Sequence, residues 1–310
     1  MKASIQAFAT SCMLIVAPSV AQAQDVLEDD DCRLELQVDS NVDWRGPYGR
    51  GYDVFDTEQS FEIVTVSIRH EGRACDYFLT GIADTAADTP ALSGPAGRLF
   101  YDVMIQPSGP SVLSPDYLGD QLSRVRGRFP RGAGVQTVTL YVDVPPGQFV
   151  PGGAYSGRTE FRLFEDDFGS PELADQAVLG IVVPVASALR VESREVGPGQ
   201  RDLNIDLGDL SQGADHTLDF SIASNARVST ELSSANRGRL AHFANAPGIP
   251  YRVWMGGQAL DLSQPLVRQE IVVPGASTTA LPVRVSVDPQ PGAAAGDYSD
   301  TLTITFVVDD

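Results

Sequence analysis

VDVPPGQFVPGGAYS at residues 142–156 and VSVDPQPGAAAGDYS at residues 285–299 are two readings of one pattern. At a fixed offset of 143 residues, Val142 meets Val285, Val144 meets Val287, Pro146 meets Pro289 and Gly153 meets Gly296. The pair Tyr155-Ser156 likewise meets Tyr298-Ser299. Each copy reads as strand, Pro/Gly turn, strand, so the chain carries an internal repeat. A further strand-like run, residues 178–185, follows the first copy, whereas only one strand pattern, residues 301–308, follows the second. The second unit is therefore expected to be the first without its last strand. A β-sandwich in that state has an open edge and an apolar groove, an aggregation hazard unless something fills it.

Working outward, short alternating runs dominate the chain. In the first unit they fall at 32–38, 61–70, 75–82, 99–105, 135–144, 159–164 and 178–185. In the second they fall at 189–191, 203–207, 216–222, 228–232, 251–255, 270–273, 281–287 and 301–308. With 29 Gly and 21 Pro interrupting nearly every candidate helix, this predicts an all-β protein of two immunoglobulin-like antiparallel β-sandwiches, the C-terminal one lacking its last strand. Weaker marks support the duplication: Ser67-Ile68 matches Ser221-Ile222, and the stretch from Tyr101 to Met104 resembles that from Tyr251 to Met255. The expected division is a signal peptide at 1–23, a first sandwich at 24–188 and a second at 189–310.

The opening 23 residues have one Lys, an apolar run around Met13 to Val16 and a small-residue site ending at Ala23. This reads as a secretory signal, too short in its apolar run for a membrane anchor. Cys12 sits inside that run and lacks the leucine of a lipidation site. Export leaves Cys32 and Cys75, an even number in an oxidising compartment, and predicts one disulfide tying the first strand to a neighbouring one. In the chain-entropy picture a loop of that length makes the bond worth about 4 kcal/mol.

Lys2 is the one lysine, so all 21 remaining basic side chains are Arg. That excludes Schiff-base lysine chemistry and Lys-Asn isopeptide staples. A formal charge of −19 argues against nucleic acid and anionic membrane as partners, both of which need basic patches. No cofactor, metal site or enzyme is expected. His70, His216 and His242 lack metal-ligand spacing, and there is no HExxH, GxSxG, phosphate loop or CxxC. The acidic runs at 28–31 and 165–167 lack the alternating ligands of a calcium loop.

The ending AGDYSDTLTITFVVDD, with SNARVSTELSSANRGRL at 224–240 and IPYRVWMGGQAL at 249–260, is similar to spore coat protein U domains, the subunit family of archaic chaperone-usher pili. The resemblance is good over 189–310 and partial over 32–188. It implies an incomplete sandwich, a periplasmic pilus chaperone, an outer-membrane usher and an adjacent pilin subunit whose N-terminal segment supplies the missing strand. It also implies passage through the periplasm to a pilus on the cell surface. Within this chain the expected groove residues are Leu302, Ile304, Phe306 and Val308.

Two departures set the chain apart from a shaft subunit, which has one such unit and a donor segment. A donor must present apolar residues at period two. Residues 24–31, QDVLEDDD, offer only Val26 and Leu27, which are adjacent and face opposite ways. A subunit that receives a strand and gives none belongs at the end of a fibre, the place of a two-domain tip adhesin. The alternative is a structural coat or shaft protein with no ligand of its own.

The stretch from Trp44 to Phe55, WRGPYGRGYDVF, is the candidate surface-binding loop, with Trp44, Tyr48, Tyr52 and Phe55 as its rings. A Gly/Pro-rich segment has few strand contacts with which to bury four aromatics. A buried Trp is also the usual anchor of such sandwiches, and on that reading Trp44 belongs to the core and the rest is a hairpin turn. Phe149, Val150 and residues 107–112 are lesser candidates for the same surface. Asn41, Asp43 and Arg45 leave a glycan site open beside an apolar one.

Overall fold

The computed structural model describes residues 31–84, 89–167, 169–197, 199–271 and 278–309. The signal-peptide reading, Cys12, Val26 and Leu27 lie outside those residues.

In chain order the first strands are β1 (Cys32–Val38), β2 (Asn41–Asp43), β3 (Phe61–Gly72), β4 (Cys75–Ala83), β5 (Ala91–Gly94), β6 (Gly97–Phe100), β7 (Asp102–Met104), β8 (Val125–Phe129), β9 (Gly134–Asp143), β10 (Gly153–Glu165) and β11 (Glu172–Val185). They form one sheet in the order β1-β3-β9-β7 and a second in the order β2-β11-β10-β4-β8, with the β5–β6 hairpin leaning on β10. Pairing is antiparallel except for β2, which runs parallel to β11. The two-residue period explains the layers. In β3, Val64, Val66, Ile68 and His70 are buried while Thr65 and Arg69 face out. Leu179, Ile181, Val183 and Val185 of β11 close the same core from the other sheet.

The later strands are β12 (Leu189–Ser193), β13 (Ala214–Ser224), β14 (Arg227–Ser234), β15 (Arg239–His242), β16 (Ile249–Pro250), β17 (Arg252–Met255), β18 (Gln258–Leu260), β19 (Val267–Ile271), β20 (Thr279–Val287), β21 (Tyr298–Ser299) and β22 (Leu302–Asp309). Here a sheet in the order β12-β13-β20-β17-β18 faces a three-stranded sheet β19-β14-β22, with a small ribbon β16-β15-β21 at one end. A second core of its own lies between them, built around Ile222, Val228, Leu232, Val253 and Val283. The architecture is thus all-β.

The repeat seen in the sequence holds in the register. Val103 stands opposite Val142 in the β7–β9 pair, and Val253 stands opposite Val285 in the β17–β20 pair. Ile68 faces Gln136, and Ile222 faces Thr279. The turn into β10 and its counterpart match as well. Gly153 and Gly296 have φ of 137° and 141°, a region that disfavours any side chain. Two residues on, Tyr155 donates to the Pro151 carbonyl at 3.0 Å and Tyr298 to the Ala294 carbonyl at 3.1 Å, the corner that immunoglobulin-type sandwiches use at this turn.

One expected strand is absent. Residues 203–207 alternate Leu203, Ile205 and Leu207 with polar residues, yet 201–209 form no strand and make no backbone pairing with the described residues. The reason lies in what is beside them. In the first sandwich the segment after β1 becomes β2 by pairing with β11. Among the described residues the second sandwich has no counterpart of β11, so the segment after β12 has nothing to pair with.

Candidate strand-accepting groove

β10 is hydrogen-bonded on both sides, to β4 and to β11. Its counterpart β22 is paired with β14 alone, and among the described residues no strand meets its other edge. The consequence shows in burial. Thr159, Phe161 and Leu163 of β10 are fully buried, whereas Leu302, Ile304 and Phe306, at the same three places on β22, are half-buried.

Those three side chains line a cavity of about 1330 Å³ between β22 and the unpaired segment 201–209. That exceeds the usual range for a small-molecule pocket, about 300–1,000 Å³, and the shape is a trough along a strand edge. Its floor is Leu218, Phe220, Leu240, Ile249 and Tyr251, and Ile205 and Leu207 form the far wall. The Phe220 and Phe306 rings lie 5.5 Å apart across it. Val308, expected as a fourth groove residue, is half-buried and stands opposite Val228, outside the residues that line the trough. One end of the trough is fixed by Asp300, whose carboxylate accepts from Ser234 Oγ at 2.5 Å, Tyr251 Oη at 2.7 Å and the amides of Asn236 and Thr301. Burial, with Asp300 beside it, pushes the Tyr251 phenol well above its usual range. The arrangement suits one kind of occupant: an extended segment that hydrogen-bonds the free edge of β22 and inserts alternate apolar side chains.

The aromatic loop is built differently from a displayed tip. Trp44 and Tyr52 are each 3% exposed and belong to the first core. The Trp44 amide donates to the Val182 carbonyl at 2.9 Å and that of Tyr52 to the Pro184 carbonyl at 2.8 Å, which stitches the loop along the edge of β11. The Tyr52 hydroxyl donates to the Pro145 carbonyl at 3.1 Å and accepts from the Gln148 amide at 2.7 Å. A Cβ on Gly51, whose φ is +90°, would lie 2.2 Å from the Pro184 carbonyl oxygen, so the close approach requires glycine there. Phe55 is half-buried against Phe149 and under the Arg190 guanidinium, at the junction of the two sandwiches. Tyr48 alone is displayed, 65% exposed, its hydroxyl on Glu58 at 3.0 Å. Of the lesser candidates, Val150 and Val112 are buried.

Exposed apolar side chains cluster elsewhere, on the segment before β8. Tyr117, Leu118 and Leu122 are 54%, 36% and 77% exposed. The segment folds back over the outer face of the β4–β10 pair. There Tyr117 meets Phe164 edge-on at 5.6 Å and lies under the Arg162 guanidinium, while Arg124 covers Phe78. No periodic pattern marks these residues in the sequence; only their spacing among Asp, Gly and Ser separates them from an ordinary loop.

Cys32 and Cys75 are joined, and the bond links β1 in one sheet to β4 in the other, rather than two paired strands. His70 packs beside it, stacked on Phe129 at 4.8 Å with its Nε2 on the Arg73 carbonyl at 2.7 Å. His242 is held by the Ala295 carbonyl and the Tyr298 ring, far along the chain from His70.

No protein-family model matches the chain, and no curated protein matches it. Among solved structures it is similar to the CsuC–CsuE chaperone-tip adhesion subunit pre-assembly complex of Acinetobacter baumannii, with a TM-score of 0.38 and 11% identity over 88% of this chain and 99% of that one. It is also similar to the CupB6 tip adhesin of Pseudomonas aeruginosa, at 0.41 and 13% over 90% and 95%. CfaE, the adhesive subunit of CFA/I fimbria of enterotoxigenic Escherichia coli, gives 0.35 and 10% over 90% and 82%. Likeness at this level says nothing of what this chain binds or assembles with.

Proposed function

We propose that this chain is the tip subunit of a chaperone-usher pilus, its second sandwich completed by a strand from the adjacent pilin subunit and its first sandwich touching the surface to which the fibre attaches. The observation that carries the reading is the trough beside β22, with Leu302, Ile304 and Phe306 half-buried where Thr159, Phe161 and Leu163 are fully covered. On this reading a periplasmic chaperone fills the trough during export, an outer-membrane usher exchanges it for the pilin, and the protein ends on the cell surface. The resemblance of residues 189–310 to spore coat protein U domains supports those partners. Surface contact falls to Tyr48 and to the patch of Tyr117, Leu118 and Leu122, because Trp44 and Tyr52 are spent on the core.

A photoreactive residue at Thr303, on the exposed side of β22, tests this in cells that export the protein. The expected adduct is the N-terminal segment of another subunit. Exported protein that yields no adduct there contradicts the reading. The burial of Trp44 and Tyr52 favours, as the second reading, a coat or shaft protein with no ligand of its own. Retained surface attachment by fibres carrying this chain, and its loss without it, separates the two.

A further inference from the structure

The rim of the trough carries a charge that the apolar floor does not explain. Glu192, Asp206, Asp209 and Asp297 all line it, all are exposed, and among the described residues none forms an ion pair. Among the described residues two cations, Arg190 and Arg201, line it as well. Arg190 is turned toward the first sandwich, its guanidinium 4.5 Å from the Phe55 ring and bonded to the Phe55 carbonyl at 3.4 Å. That leaves Arg201 against four carboxylates. Asp300, also on the lining, is half-buried and has its oxygens taken by Ser234, Tyr251 and two backbone amides.

A strand laid in the trough turns alternate side chains inward and the others outward, toward the rim. Like charges there are repelled and opposite charges attracted, which sets partner choice and encounter rate more than total affinity. We infer that the segment this trough accepts alternates apolar residues with Lys or Arg, so that the inserted face is apolar and the outward face basic. The inference rests on the strand-accepting reading above and adds to it the chemistry of the partner. An identical copy of this chain is then a poor donor, because the residues leading into β1, Glu28 to Asp31, are a run of four acids.

The test uses the full mature chain and three labelled nine-residue peptides. All have Val or Leu at alternate positions; the intervening positions are Lys in one, Thr in the second and Glu in the third. Binding is read by fluorescence anisotropy at low salt and in 0.5 M NaCl. The expected order is Lys, then Thr, then Glu, with the Lys peptide at least about tenfold tighter than the Glu peptide at low salt and the gap closing in high salt. The double variant Asp206→Asn, Asp297→Asn should lose part of the Lys preference, and adding Glu192→Gln and Asp209→Asn should remove most of it while the Thr peptide still binds. Equal binding of all three peptides overturns the basic-partner inference and leaves the groove standing. A Lys preference that survives in the fourfold variant assigns it to other charges and also overturns the inference. Binding of none of them overturns the groove itself.

Discussion

Phe161 and Ile304 stand at the same place in two copies of one strand, and only Phe161 is covered. Phe161 lies opposite Gly81 on β4 and Ala177 on β11; Ile304 lies opposite Leu232 on β14 and, among the described residues, has no partner on its other side. Truncation should read this difference directly. Phe161→Ala is expected to cost the first sandwich about 3–5 kcal/mol, whereas Ile304→Ala should cost the second under about 1.5 kcal/mol, since the side chain is half-solvated already. With a complementing strand in place the cost of Ile304→Ala should rise to about 2–5 kcal/mol. Chemical denaturation of both variants, with and without a bound strand, measures it.

The aromatic loop gives a second contrast. Tyr52→Ser removes a buried ring and the hydroxyl that bridges Pro145 and Gln148, and should lower first-sandwich stability by about 3–5 kcal/mol. Tyr48→Ser removes an exposed ring and should change it by less than about 0.5 kcal/mol. Thermal melts of the two variants, compared at one pH, decide whether the ring burial is as described.

Attachment is expected to follow the other patch. Replacing Tyr117 and Leu122 by Ser should reduce retention on a hydrophobic surface several-fold while leaving the first-sandwich transition within about 1 kcal/mol, because both side chains are more than half exposed. Unchanged retention together with unchanged stability would remove this patch from the attachment site.

Removing the disulfide should act on one sandwich only. Cys32→Ala with Cys75→Ala is expected to cost about 4 kcal/mol in the first sandwich, the entropy of a closed loop spanning 43 residues, and to leave the second transition where it was. Two-transition denaturation curves resolve the effect.

The pH response has a defined sign. Asp143 is 5% exposed with Oδ1 unpartnered, and it stands directly opposite Asp102 across the β7–β9 pair. Burial pushes the Asp143 carboxyl up, only partly offset by the Gln59 amide, and Asp102 beside it adds to the rise; Asp102 is raised by burial as well. A carboxyl raised on folding favours the protonated form, so the stability it lends is full below the ordinary value of 3.8 and is lost as pH rises through the folded value. The first transition should therefore weaken on going upward from pH 4, and Asp143→Asn should flatten that slope. A variant with the same slope as the parent places the titration elsewhere.

Much of this was legible from residues alone, and the misses have physical causes. The duplication was visible because Gly153/Gly296 and Tyr155/Tyr298 do backbone-specific work at one turn, which a sequence records without help from distant contacts. Residues 203–207 read as a strand because Leu203, Ile205 and Leu207 alternate; pairing needs a neighbour, and periodicity cannot report that the neighbour is absent. Tyr52 read as a surface ring, and Trp44 as either a surface ring or a core anchor, because their glycines suggest a free loop, while the bonds that fix them, to Pro184 and Val182, come from more than a hundred residues away. The alternation of Trp44 with Val42 across the end of β2 was the available signal for Trp44. Tyr117, Leu118 and Leu122 were invisible because exposure on an outer sheet face has no periodicity of its own.

The central claim is that the second sandwich lacks one strand and is completed from outside. The direct measurement is thermal unfolding of the mature chain with and without a short apolar-alternating strand fused through a flexible turn after Asp310. The account predicts a low, broad transition for the second sandwich without the fused strand, and a sharp one with it, stabilised by several kcal/mol at about 1.5–3 kcal/mol for each aliphatic side chain fully buried in the trough. A sharp second-sandwich transition that is the same with and without the fused strand would contradict it.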